Sequence, residues 1–451
     1  MILALTRTGL AQVPEKLVDL CLAEFYRIRG GRSEVAEIFD QAALSLGWQG
    51  DLASDAHTGS ENVFRDTMQL IDKASSITYR SKSVELVLGK VLGCSNRFYC
   101  DVPGQAWKAY RISQDSLEML SRAGARKEMA WVLRSIGDIG YSPDIIIQLC
   151  SRALSVFEET GDKRGIAETL YRMGSVSTRI GDYRKAEEFY QNSLRISRQI
   201  DRYEIIAHCL AELGYVFWAL GKYSAAEKKC RESLSYYREI GYTSQIAYAM
   251  RNLGRVFMGM ENFFIAKQHF RNSLDIYEEI GLRGMKAITL GELAHVSVVE
   301  GALTEAEHLA ETSRNLCEKL EYRPGLVVAH TALGDIEVRR GNLNTGRQHY
   351  HKALQWALGI QKPSDALNAL AGKTMLLNAT GEKQRVMELA YFIRNHPASW
   401  QWTRDCLAPL ISSSEDALSP DALKAALRWG AEKEVEEVIE IVIGNQQVEA
   451  E

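Results

Sequence analysis

The sequence predicts an all-α solenoid of antiparallel helix pairs, and three observations carry that expectation. Landmarks recur every 40 residues for about 200 residues without insertion or deletion. Gly181, Gly221, Glu261, Gly301, Gly341 and Gly381 form one column, and Ala186, Ala226, Ala266, Ala306, Gly346 and Val386 follow five residues behind. Within a period, apolar residues step by three and four, as in Ile166, Leu170, Met173 and Val176, which places them on one stripe of a helix. Only 8 prolines occur in 451 residues, nearly all at expected breaks between helices, as a largely helical chain requires. A period between 20 and 50 residues means stacked units, each burying its apolar face against its neighbours alone.

From the N-terminus the period emerges gradually. Gly31, Ala36 and Ala43-Leu44 already keep the internal spacings, residues 51–83 have no phase although Glu61–Lys73 reads as helix, and Gly104, Ala109, Ser116-Leu117 and Gly124 mark a unit over 84–124. Residues 1–124 are therefore expected to be degenerate helical repeats. The array over 125–396 is the regular part, with a unit closed by Ala153-Leu154 and Gly161, five in strict phase from Lys163, and a sixth over 363–396. Eight to ten helix pairs are expected in all. After residue 396 the period stops. His396-Pro397-Ala398-Ser399 and Ser419-Pro420-Asp421 read as helix starts by proline and serine capping chemistry, and Glu432–Ile443 as a last helix. Residues 397–451 are thus expected to be a helical cap and tail covering the end of the solenoid.

Each period reads as two helices around a Gly-Asp-Tyr type turn. The turn glycine suits the left-handed conformation that ends a helix. A second glycine column, Gly174, Gly214, Gly254 and Gly334, with Ala294 once in its place, falls mid-helix. Glycine costs about 0.5–1 kcal/mol there relative to alanine, so its recurrence implies a close crossing of the partner helix.

Composition excludes several function classes. A net charge of −4 gives no general attraction to nucleic acid or anionic lipid, and no run of 18 apolar residues suggests a membrane span. The start Met-Ile-Leu-Ala-Leu-Thr-Arg lacks a secretory signal, and eight cysteines show no C-x-x-C spacing. Both features point to a reducing, cytoplasmic setting without structural metal. No phosphate loop, H-E-x-x-H, G-x-S-x-G or kinase set is present, so neither catalysis nor a cofactor is expected. His349 and His351, two apart on one helix, project to different sides and read as surface residues.

Leu210-x-x-Leu213-Gly214-x-x-Phe217 with Ala226-x-x-x-Cys230 and Ser233, and Met250-x-x-Leu253-Gly254-x-x-Phe257 with Ala266-x-x-x-Phe270 and Ser273, resemble the tetratricopeptide (TPR) pattern. The departures are Leu or Met for the opening aromatic, no closing proline, and 40 residues in place of 34. The resemblance implies a right-handed superhelix in which the first helix of each pair lines a concave groove. Mapped by phase, that groove would present Tyr171, Arg172, Arg179, Tyr215, Trp218, Tyr248, Arg251, Asn252 and Arg255, then Gly291 and His295, and later Asp335 and Arg339. Arginine forks suit carboxylate or phosphate and aromatic faces supply contact area, so an anionic peptide segment or small ligand is expected there, with Gly291 leaving room for it. The competing expectation is that these arginines pair with neighbouring carboxylates such as Glu212 or Glu292.

The 40-residue units and the His-Pro-Ala-Ser-led tail together resemble the C-terminal sensor region of bacterial signal-transduction ATPases of the STAND class. That resemblance implies a non-catalytic domain binding an inducer, either a small molecule or a protein or peptide. It also implies an ATPase module in cis or in trans, and no direct contact with nucleic acid or membrane. The opening residues start almost directly in a helix-forming stretch, which favours an excised sensor fragment over a whole protein. A free-standing adaptor holding a partner peptide in its groove is the alternative, although only Asn252 stands before a Leu-Gly pair where such scaffolds carry an asparagine ladder.

Overall fold

The computed structural model describes residues 106–136, 142–431 and 433–448, with a few positions between 86 and 93. The features expected from Gly31, Ala36, Ala43-Leu44 and residues 51–83 lie outside the described residues. Among the described residues all regular structure is helical. The chain divides into two compact units, Met1–Val176 and Ser177–Glu451, with the boundary inside one helix.

The first unit contains α1 (Ala106–Arg122), α2 (Arg126–Ile136), α3 (Pro143–Glu159) and most of α4 (Lys163–Ile180). Leu117, Leu120, Met129, Leu133, Leu149 and Phe157 form its core. A Cβ on Gly165 would stand 2.4 Å from the Phe157 ring, so a side chain at 165 would collide with that core.

The second unit holds the regular array. It runs through α5 (Tyr183–Gln199), α6 (Tyr203–Ala219), α7 (Tyr223–Glu239), α8 (Thr243–Gly259) and α9 (Phe263–Glu279). It continues through α10 (Arg283–Val299), α11 (Leu303–Lys319), α12 (Arg323–Arg339), α13 (Leu343–Ala357), α14 (Pro363–Ala379) and α15 (Lys383–Asn395). Helices α5 to α12 are 17 residues each. A 17-residue helix and a three-residue turn make a half-unit, and two half-units make the period seen in the sequence.

The turns explain the glycine column. Gly181 and Gly221 have φ of 82° and 75°, and the residues after them close the helix: Asp182 N donates to Ser177 O at 2.8 Å, and Lys222 N to Phe217 O at 2.8 Å. This is the six-to-one bond of a Schellman cap. Where the column breaks, Glu261 takes φ 58° and the same bond forms from Asn262 N to Phe257 O at 2.8 Å. Left-handed positions recur between pairs as well, at Asp201, Gly241, Gly281 and Glu321.

The mid-helix column marks close crossings, as expected. A Cβ on Gly214 would stand 2.3 Å from Cys230 Sγ, one on Gly254 would stand 2.9 Å from the Phe270 ring, and one on Gly334 would stand 2.7 Å from the Tyr350 ring. Ala294 is the exception, and the residue occupying the ring's place in its pair is Ala310, fully buried in the same small cluster. The small residue has moved across the interface while the crossing is kept. In two of the pairs a buried serine ties the second helix to the first: Ser273 Oγ donates to Ala247 O at 2.8 Å and Ser313 Oγ to Ala287 O at 2.7 Å.

After α15 come α16 (Gln401–Glu415), α17 (Pro420–Trp429) and α18 (Val435–Val448). Helix α16 packs on α15 and α14, α17 on α15, and α18 on α13 and α14. Leu389, Phe392, Leu407, Ile411, Val438 and Ile439 share one core with the last pair. Besides packing on these last helices, the tail does something the sequence did not suggest. The non-helical corner at His396–Trp400 reaches the first turns of this unit: a Cβ on Gly181 would stand 2.0 Å from the Ala398 Cβ, and one on Gly221 would stand 2.6 Å from the Gln401 Cγ. Pro409 lies inside α16 and not at a helix break.

Candidate functional site

The first helices of successive pairs converge on one polar cluster. Four-residue spacing puts Arg251 and Arg255 on the same face of α8, and both turn toward Glu292 of α10. Arg251 Nε lies 3.2 Å from Glu292 Oε2, and Arg255 donates to Glu292 Oε1 from Nη2 and from Nε, the latter at 3.1 Å. Arg255 Nη1 also donates to Asn252 Oδ1 at 3.1 Å. Each arginine is only 6% exposed, so these are desolvated charges whose partners must be present.

Aromatic rings complete the cage. The Arg255 guanidinium lies 5.1 Å from the Tyr215 ring centre and 5.5 Å from that of Trp218, while Arg251 lies 5.7 Å from Tyr248. The Tyr248 hydroxyl donates to Glu212 Oε1 at 3.1 Å. The two carboxylates differ in charge state. Burial pushes Glu212 up to about 7, against the pull of Tyr248, Arg255 and Arg251. Burial would push Glu292 up as well, but Arg251 and Arg255 hold it below its ordinary value. Glu292 is therefore the standing counter-charge, and Glu212 titrates near neutrality.

Beside this cluster lies a cavity of about 70 Å³. Trp218, Arg255 and Glu292 wall one side, Lys362 and Asp365 at the start of α14 another, and Trp400 and Trp402 of the tail a third. Lys362 Nζ pairs with Asp365 Oδ2 at 2.9 Å. An adjoining cavity of about 100 Å³ is bounded by His295, Asp335, Arg339, Tyr350, Trp402 and Cys406. His295 Nδ1 lies 3.3 Å from Asp335 Oδ2, and its ring meets Trp402 edge-on at 6.4 Å.

The groove residues expected from the sequence are thus partly brought together. Tyr215, Trp218, Tyr248, Arg251, Asn252 and Arg255 form the cluster, and His295 and Arg339 border the second cavity. Arg179 is half-buried at the end of α4, whereas Tyr171 and Arg172 belong to the first unit. Three expectations need correction. Arg251 and Arg255 do not face an open groove; they are paired with Glu292, as the competing expectation had it. Gly291 leaves no room for a ligand, because a Cβ there would stand 2.8 Å from Val328 Cγ1: the partner side chain already fills the space. His349 is half-buried, with its Nδ1 3.1 Å from that of His330.

Sequence reasoning missed Lys362, Asp365, Trp400 and Trp402. Lys362-Pro363 falls at a predicted helix break and Trp400-x-Trp402 in a segment read as a polar cap. Two tryptophans two apart in such a segment were the available signal. Among the described residues no group of three or more His, Cys, Asp or Glu is placed to hold a metal, and no helix is long and apolar enough to cross a membrane.

Residues 165–239 match the family model of the tetratricopeptide repeat. The chain carries TPR motifs. No curated protein matches it. Among solved structures, a Rap protein complexed with competence and sporulation factor aligns over 92% of this chain and 100% of its own, at 13% identity and a TM-score of 0.55, which shows a shared fold. The Rap conjugation gene regulator of plasmid pLS20, in complex with the Phr* peptide, aligns over 80% of this chain and 97% of its own at 14% identity and a TM-score of 0.47. A STAND protein with a TPR sensor from Pyrococcus horikoshii aligns over 92% of this chain and 69% of its own at 12% identity and a TM-score of 0.42.

Proposed function

We propose that this chain is a non-catalytic TPR receptor, the inducer-sensing part of a STAND-type signalling ATPase, working beside an ATPase module in cis or in trans. The observation that carries the reading is the convergence of five first helices on one cavity edged by charged and aromatic side chains. Buried ion pairs are weak sources of stability, since their desolvation offsets much of the attraction. A fold seeking stability alone would fill this centre with apolar side chains; a receptor uses oriented charges and rings to select a ligand. Four buried free thiols, Cys150, Cys209, Cys230 and Cys317, suit a cytoplasmic setting.

The ligand would be an inducer with an anionic group, taken up beside Arg255 and Lys362 against the tryptophan rings. The test is a thermal-shift screen of the full chain with sugars, nucleotides and peptides. A ligand at 100 times its Kd adds about 2.7 kcal/mol to stability. A positive ligand should lose affinity in Arg251→Ala/Arg255→Ala/Glu292→Gln, which removes both cations without leaving Glu292 as a lone buried carboxylate. Unchanged affinity in that variant would move the site elsewhere. The second reading, a free-standing adaptor, is supported by the Rap protein whose fold this chain shares over nearly its whole length, since that protein is complexed with a factor. Co-purification of a partner protein without an ATPase module would favour it.

A further inference from the structure

The His396–Trp402 corner is built differently from the rest of the array. Every repeat interface joins neighbours in sequence, whereas this corner meets residues about 215 positions away. Trp400 Nε1 donates to the Tyr183 hydroxyl at 2.9 Å, and the Trp400 ring lies 5.1 Å from that of Trp218. Ala398 and Gln401 sit over Gly181 and Gly221, among the described residues the only two turn glycines of their column that are covered. Among the described residues, nothing lies within 4 Å of a Cβ placed on Gly301, Gly341 or Gly381.

The seam beneath this corner is not fully satisfied. The buried Trp218 Nε1 and Ser399 Oγ find no hydrogen-bond partner. Trp400 borders the cavity of about 70 Å³, and Trp402 borders both that one and the cavity of about 100 Å³, and they leave both unfilled. A contact that leaves donors unpaired and space unfilled is one that another segment can displace.

We propose that the trough over Gly181 and Gly221 is a peptide-recognition site for a segment with two tryptophans two residues apart, filled in cis by the chain's own His396–Trp402. This deepens the receptor reading and rests on it: the inner face is the recognition surface, and its resting occupant is the tail. The seated segment defines the chemistry a partner must bring. A small residue lies over Gly181, one indole donates to Tyr183 and packs on Trp218, and a second indole reaches His295. A partner peptide of this kind competes with the tail, and its binding frees α16 from the first turns of the unit.

The test uses the full chain and a fluorescein-labelled peptide of residues 396–405 as probe. In Trp400→Ala/Trp402→Ala the trough is vacated, so the probe should bind saturably and at least tenfold more tightly than to the unaltered chain. The same peptide with both tryptophans replaced by alanine should not bind. Equal affinity for the two chains, or no binding to either, overturns the inference. If the double variant does not fold, hydrogen exchange of the unaltered chain decides. Amides of 399–405 should exchange through an opening that leaves α6, α8 and α10 protected; exchange only on global unfolding makes the corner part of the core and overturns the inference. A ligand found by thermal shift that acts through Arg255 while the probe fails leaves the receptor reading standing and removes this one alone.

Discussion

Glu212 and Glu292 illustrate how one residue type is given two charge states by its surroundings. Glu292 faces two guanidinium groups and stays ionised, while Glu212, with a phenol as its direct partner, is pushed up to about 7. A folded-state value above the ordinary carboxylate value means the folded chain holds a proton that the unfolded chain has lost, so stability declines as pH rises from about 4.5 to 7. Glu212→Gln should therefore raise stability at pH 8 by about 1–3 kcal/mol and leave it unchanged at pH 4, read by denaturant melts at both values. His330 has the opposite sign. Burial, then His349, Lys352 and Arg314, push it down to about 3, so it is neutral in the folded chain while the unfolded chain takes up a proton near 6.5. Its contribution is complete above pH 6.5 and is lost as pH falls toward 3. His330→Gln should flatten the acid side of the stability profile, and an unchanged slope between pH 6 and 4 would contradict the assignment.

The helix and its turn are where the sequence was most legible. A glycine with positive φ and a mid-helix glycine both reflect backbone geometry, and geometry repeats, so the columns could be counted without any structure. Glu261 is the exception that tests the rule. It holds φ 58° with a β-carbon, in a column otherwise occupied by glycine. Glu261→Gly should stabilise the chain by about 1 kcal/mol, measured by chemical denaturation. Gly254→Ala should do the reverse. Its Cβ would meet the buried Phe270 ring at 2.9 Å, an overpacking that typically costs about 1–3 kcal/mol. Combining Gly254→Ala with Phe270→Ala should cost less than the sum of the two, because the pair then reproduces Ala294 against Ala310. The partners of Arg251 and Arg255 were foreseen for the same reason, since residues one period apart on first helices are neighbours in a stacked array. Lys362-Asp365 and Trp400-x-Trp402 were not, because nothing in a periodic pattern says which distant segments meet.

At the scale of the molecule, the regular unit was legible and its closure was not. Local interfaces fix how each pair stacks on the next, and they are nearly the same at every step. They would accept one pair more or fewer. The corner over Gly181 and Gly221 would not, since it connects the first turns of the second unit to a segment beyond its last pair. Removal of residues 241–280, combined with Glu292→Gln because Arg251 and Arg255 leave with them, joins equivalent positions of adjacent pairs but shifts the corner by one pair along the row of turns. The shortened chain should keep its helicity by circular dichroism while Trp400 loses Tyr183 and Trp218, visible as a change in tryptophan emission. Emission identical to the parent chain would mean the corner docks equally well on other turns. Loss of those contacts in the shortened chain would make the tail a gauge, one that counts the pairs and gives the array a definite length.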